Sequence, residues 1–245
     1  PRKHQAHLHR QIDKHRWNVL VCHRRFGKTV CMINHLIRSA LLSKLNNPRF
    51  AYIAPTFKQA KSIAWDYMKQ FTAKIPHTKF NETELRVDLP NGSRITLLGS
   101  ESPDGLRGIY LDGCVIDEYA NVNSKLFPEI IRPALSDRKG YCVFIGTPMG
   151  MNNNFYELYQ HAQGAEDWFN YKAKASDTKI VDNDELVKAK EVMGEKKYLQ
   201  EFECDWIANI EGAVYGDVIA KLDDDKQLTR VPYDPALPVS TAWDL

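Results

Sequence analysis

The chain alternates short, wholly apolar runs with longer stretches whose apolar residues recur every three to four positions. That is the pattern of buried strands feeding amphipathic helices in an α/β fold with a mainly parallel central sheet. Residues 17–29, WNVLVCHRRFGKT, pass from an apolar strand into a turn, and Val30, Ile33, Ile37, Ala40 and Leu41 follow at helical spacing. A helix over residues 3–15 precedes this unit. Asn46-Asn47-Pro48 breaks the second helix, RFAYIAP gives another strand ending at Pro55, and a further helix has its stripe at Ala60, Ile63, Ala64, Tyr67 and Phe71. Residues 84–98 alternate on either side of Asn91-Gly92, which predicts an inserted antiparallel hairpin.

Further along, Cys114-Val115-Ile116 reads as a buried strand, followed by a helix over about 124–136 and the strand YCVFIGTP. DWFNYKAKA predicts one more strand, and ELVKAKEVM and KKYLQEFECDWI two helices. From about residue 206 the pattern weakens: Gly212, Gly216, the run Asp223-Asp224-Asp225 and prolines Pro232, Pro235 and Pro238 read as a small linker segment. The sequence then ends on VSTAWDL, the opening of another strand. This divides the chain into a domain over 1–205 and a linker over 206–245.

At 245 residues and 43% hydrophobic content the chain can bury a large core, and its net charge of +2 gives no strong pull toward nucleic acid. Five cysteines without C-x-x-C spacing, most of them in apolar runs, fit a reducing compartment. No apolar run reaches bilayer length, so no membrane association is expected.

The chemistry concentrates at the ends of the predicted strands. Against the phosphate-loop pattern G-x-x-x-x-G-K-S/T, Gly27, Lys28 and Thr29 match, with Cys22 in place of the first glycine. Gly27 allows close backbone approach, Lys28 can reach the β and γ phosphates, and Thr29 can hold magnesium at the start of a helix. Arg24 and Arg25 lie within this loop, Arg25 among the nucleotide-binding residues. Asp117-Glu118 follows the 114–116 strand as a Walker B pair, Asp117 toward the magnesium and Glu118 toward the attacking water. Thr147, after another apolar strand, is a candidate γ-phosphate sensor or else a hydroxyl capping the next turn.

Other residues carry two readings. Gln5, 17 positions before Cys22, could read adenine through its carboxamide or be a solvated surface glutamine. Arg107, between Gly105 and Gly108, could reach a neighbouring subunit's nucleotide or pair locally with Asp104 or Asp112. His4, His7 and His9 share a helix face but lack further ligands, so an exposed face competes with a metal site. Lys58, Lys61, Lys69 and Lys74 either meet DNA phosphates or solvate a helix.

The ordered set CHRRFGKT, GLRG, CVIDEYA, FIGTP, YLQEFECDWIANIEGAVYGD and AWDL resembles the large terminase subunit of tailed bacteriophages, over nearly the whole chain. The resemblance implies a P-loop NTPase domain of the additional-strand type, with ATP and Mg2+ as cofactors. It also implies an ATPase motor that drives double-stranded DNA into an empty capsid as a homo-oligomeric ring on the portal, with the small terminase subunit as a partner. The place would be the cytoplasm of the infected bacterial host, docked transiently on the procapsid. Residue by residue, it assigns Lys28 and Thr29 to phosphate and magnesium, Asp117 and Glu118 to the Walker B pair, and Thr147 to coupling. Arg24 matches the loop arginine and Arg107 the intersubunit finger. Asp244 matches the first metal ligand of a ribonuclease H-like nuclease whose remaining acidic cluster is missing, so no cleavage is expected. A superfamily-two helicase lobe, a non-hydrolysing ATP-binding module and an endonuclease are the alternatives.

Overall fold

The computed structural model describes residues 1–207 together with Leu222 and Gln227. The linker features from Gly212 to Pro238, apart from those two residues, and Asp244 lie outside the described residues. Eight strands form one sheet: β1 (Trp17–Cys22), β2 (Arg49–Ala54), β3 (Lys79–Asn81), β4 (Arg86–Asp88), β5 (Arg94–Gly99), β6 (Gly113–Asp117), β7 (Tyr141–Gly146) and β8 (Trp168–Ala173). Their spatial order is β3-β4-β5-β2-β6-β7-β1-β8, and every pairing from β5 to β8 is parallel.

Continuous apolar runs form parallel strands here because both faces of the sheet are covered. All six residues of β1 are buried, and successive side chains point to opposite faces. Leu20 and Cys22 join a core with Met32, Leu36, Tyr52, Trp65 and Val143. Val19 and Val21 join the other, with Ile53, Ile116, Phe144 and Phe155. Burying each such aliphatic side chain contributes about 1.5–3 kcal/mol, so the two cores hold the strand ends in fixed register.

The hairpin around Asn91-Gly92 is present, with β4 antiparallel to β5, but β5 also pairs with β2 over six residues. It therefore extends the central sheet rather than standing apart from it, and β3 adds a short edge strand that the sequence pattern did not single out. Helix α1 spans Lys3–Ile12, shorter than expected, and α2 spans Lys28–Leu42. In α2 the buried face includes Ile33, Ile37 and Ala40, together with Cys31, Met32 and Leu36, while Leu41 is exposed.

The following helix is rotated relative to its predicted stripe. Ala60–Trp65 is π-helical between the α-helical Phe57–Gln59 and Asp66–Thr72. The widened turn shifts the inward positions to Ala60, Ala64, Trp65 and Met68, leaving Ile63 and Tyr67 exposed. Among the described residues no helix is long and apolar enough to cross a membrane.

Helices α1 and α2 meet through polar groups as well as apolar ones. His9 Nδ1 lies 3.0 Å from His35 Nδ1 with the rings stacked, and Arg38 donates to Asp13 at 2.8 Å beside them. The three N-terminal histidines are thus neither an exposed face nor a metal cluster: His4 Nδ1 lies 2.8 Å from the Tyr171 hydroxyl and His7 packs on Phe169. No group of three or more His, Cys, Asp or Glu side chains placed to hold a metal ion occurs among the described residues. Burial, then the nearby His9 ring, pull the His35 pKa from 6.5 down to about 3.

Between those two values the unfolded chain takes up a proton at this site and the folded chain does not, so stability is full above pH 6.5 and falls as pH is lowered toward 3. Thermal unfolding should show Tm declining from pH 7 to pH 4.5, with His35→Gln flattening that dependence. An equally steep decline in the variant would rule out His35 as its source.

Candidate active site

The strand-to-helix turn is residues 23–27, between β1 and α2. Cys22 ends β1 in full burial, which pushes its thiol far above the ordinary range and leaves its carbonyl as the useful group. Lys28 Nζ donates to that carbonyl at 3.3 Å. His23, fully buried, lies 2.8 Å from the Thr178 hydroxyl and fixes the start of the turn, a contact that sequence reasoning missed. Arg25 (φ 68°) and Gly27 (φ 87°) both adopt left-handed backbone. At Gly27 only glycine enters this conformation without strain, and an added Cβ would lie 3.0 Å from Gln5 Nε2.

Gln5 is accordingly buried against the loop, not solvated. Its Oε1 accepts the Arg2 N–H at 3.0 Å and its Nε2 donates to the Gly27 carbonyl at 3.3 Å. Together with Arg2 it braces the loop from α1.

Asp117 ends β6, and Glu118 follows it in left-handed backbone at φ 47°. A non-glycine residue held there costs on the order of 1–3 kcal/mol and turns the side chain back toward the loop. Lys28 Nζ lies 3.8 Å from Glu118 Oε1. Asp117 Oδ1 accepts the Glu118 N–H at 3.0 Å, and its Oδ2 accepts the Tyr52 hydroxyl from β2. Thr29 stands near the same phenol. Burial pushes both carboxyls above their ordinary range, and the Lys28 ammonium pulls each part of the way back.

Strand β7 lies between β1 and β6 and delivers Thr147, whose backbone lies near enough to Glu118 to favour its charged form. The helix Glu195–Phe202 ties these parts together. The Arg24 N–H donates to the Glu201 carbonyl at 2.7 Å, Arg24 Nη1 lies 3.7 Å from Glu201 Oε2, and buried Gln200 donates to the Pro148 carbonyl at 2.6 Å. Gln200 and Glu201 stood in the sequence as part of YLQEFEC, without a role. Tyr52 gave no signal either, because an apolar strand accepts a tyrosine as filler.

A cavity of about 880 Å³ opens beside the loop, lined by Arg2, Arg25 and Gly27 and by apolar and charged side chains that include Val181, Glu185 and Met193. Arg107 stands apart from these residues, with its side chain 57% exposed and its guanidinium 3.7 Å from Glu129. Asp112 pairs instead with Arg138 at 3.4 Å. Lys69 pairs with Asp66 and Glu82 at 3.6 and 3.3 Å, which leaves it committed within the fold.

A phosphate-loop helix start, an acidic pair at the end of β6, and an extra strand between the two define a P-loop NTPase fold of the additional-strand type. The comparisons with known proteins agree. The chain belongs to the family described as "Terminase large subunit, T4likevirus-type, N-terminal", whose model matches residues 21–216. It is 30% identical over 126 residues to the large terminase subunit of Thermus phage G20c, an alignment covering 44% of this chain and 26% of that protein. The chain thus spans about a quarter of the length of the curated relative it matches. Among solved structures it resembles the large terminase ATPase domain of Thermus phage P74-26, with a TM-score of 0.70 at 21% identity, covering 84% of this chain and 94% of that one. The large terminase of a thermophilic bacteriophage, solved in complex with ADP, gives a TM-score of 0.72 at 16% identity, covering 83% and 53%.

Two variants test how the site is held. Gln200→Ala removes a buried hydrogen bond to the Pro148 carbonyl and should destabilise the chain by about 1–3 kcal/mol in urea unfolding. Gly27→Ala, strained at φ 87°, should cost about 1 kcal/mol or more by the same measurement. Unchanged midpoints would show that neither contact supports the site.

Proposed function

We propose that this chain binds ATP with Mg2+ in the crevice at the carboxyl ends of β1 and β6, hydrolyses it, and serves as the ATPase part of a DNA-packaging motor. The carrying observation is the 3.8 Å approach of Lys28 to Glu118, which brings the two motifs 90 positions apart in number (28 to 118) into one site. The thermophilic phage's large terminase in complex with ADP, similar in fold to this chain, supports a nucleotide as the ligand.

The phosphates lie against the N–H groups of residues 24–29 at the start of α2, where the helix dipole favours anions. Lys28 exchanges Glu118 for the β and γ phosphoryl oxygens. Glu118, released but with the Thr147 backbone beside it, is directed at a water in line with the γ phosphate; its raised pKa makes it a stronger base at neutral pH. Thr29 and Asp117 offer the hard oxygen ligands that Mg2+ prefers, with Asp117 held by the Tyr52 hydroxyl and Thr29 near it, so the donor set fits. When bound, Mg2+ neutralises charge on the phosphoryl oxygens. The apolar side chains of the cavity accept the purine, with Arg25 at its loop side and Gln5 bracing the loop through the Gly27 carbonyl.

Arg107 points outward and is the candidate to complete a neighbouring chain's site, while Arg24 is the candidate within the same chain. An arginine of this kind is worth about 10³–10⁵ in rate. In this reading residues 1–205 are the ATPase domain and 206–245 a linker. The chain acts as a homo-oligomeric ring on the portal, with the small terminase subunit as partner, in the host cytoplasm. Its DNA contacts are to phosphates, because a packaging motor must move any sequence.

Glu118→Gln should lose turnover by two or more orders of magnitude while ATP affinity, measured by calorimetry, is retained. Arg107→Ala should lose turnover with no loss of binding. Normal turnover in the first variant, or weakened ATP binding in the second, would contradict these roles.

A further inference from the structure

Tyr52 occupies the middle of β2, is 1% exposed, and shares its face of the sheet with the apolar side chains of Phe50 and Ala54. Packing there asks only for an apolar ring, and phenylalanine would fill nearly the same volume. Burying a phenol O–H is unfavourable unless the hydroxyl is bonded. The Tyr52 hydroxyl meets that condition in one place: it donates to Asp117 Oδ2.

The consequence for Asp117 is geometric. Its Oδ1 is already held by the Glu118 N–H at 3.0 Å, so with Tyr52 on Oδ2 both carboxylate oxygens are pinned and the plane of the group is set. Each oxygen keeps a further lone pair for another partner. Thr29, on a different element, stands near the same phenol. Groups held in place beforehand by supporting hydrogen bonds lose less freedom on binding.

We propose that Tyr52 is a positioning residue for the divalent cation that accompanies the nucleotide: its hydroxyl fixes the plane of the Asp117 carboxylate before the cation arrives. This rests on the nucleotide reading above and adds a residue from β2 that neither motif contains. The cation is a small, hard one taken up with a nucleoside diphosphate or triphosphate.

The test measures ADP affinity by calorimetry, with Mg2+ and again with EDTA, for the unsubstituted chain and for Tyr52→Phe. The gain that Mg2+ brings should fall about tenfold in the variant, while affinity in EDTA is unchanged, since a hydrogen bond to a charged group is being removed. An unchanged gain overturns the proposal, and so does an equal loss in both conditions, which is what a merely structural role gives. Absence of ADP binding by the unsubstituted chain in either condition overturns the nucleotide reading itself. Should Tyr52→Phe not fold, the unsubstituted sequence carrying 3-fluorotyrosine supplies a second readout. A buried fluorine resonance should shift when Mg2+ is added to the ADP-bound chain, and no shift of any tyrosine resonance overturns the proposal.

Discussion

The site depends on one ammonium group. Lys28 Nζ reaches the Cys22 carbonyl at the end of β1 and the Glu118 carboxylate beyond the end of β6, and those strands are not neighbours. β7 separates them, so the contact exists only if all three strands keep register and α2 starts where Gly27 ends the turn. The parallel pairings and the two apolar cores supply that register. In a partly buried setting a lysine and two carboxyls hold one another's charge, and removing the lysine would leave two acids pressed together in a region that already disfavours their ionised forms.

Some of the backbone strain falls at the same place. Arg25, Gly27 and Glu118 all lie in left-handed backbone within the two loops that face each other. The non-glycine members each cost on the order of 1–3 kcal/mol, an amount the core offsets several times over. The cost has a geometric return: a right-handed conformation at 118 would carry the carboxylate away from Lys28. The helix Glu195–Phe202 then closes the arrangement from a third side, with Arg24 and Pro148 bonded to consecutive residues of that helix. A change in the loop and a change after β7 are therefore felt by the same rigid element.

Much of this was legible in the chain itself. Continuous apolar runs identified the central strands, and Gly27-Lys28-Thr29 and Asp117-Glu118 marked the two loops that the fold brings together, because backbone needs and charge restrict which residues can stand there. Asn91-Gly92 located its hairpin for the same reason. The π-helical turn at Ala60–Trp65 was not legible, since periodicity assumes a constant number of residues per turn. Nor were Gln200, His23 and Tyr52, each of which works through a partner more than 50 positions away in the chain. Gln5 was read in two ways, and burial against Gly27 excludes the solvated one. The histidines of α1 were misjudged because their partners come from α2 and β8.

The most direct measurement is phosphate release from ATP with Mg2+, per chain, over a wide range of protein concentration, with and without double-stranded DNA. A hydrolytic site completed by an arginine from a neighbouring chain predicts Mg2+-dependent release whose rate per chain climbs with concentration. Absence of release at every concentration, with or without DNA, would contradict the assignment of Lys28, Asp117 and Glu118 as a hydrolytic site.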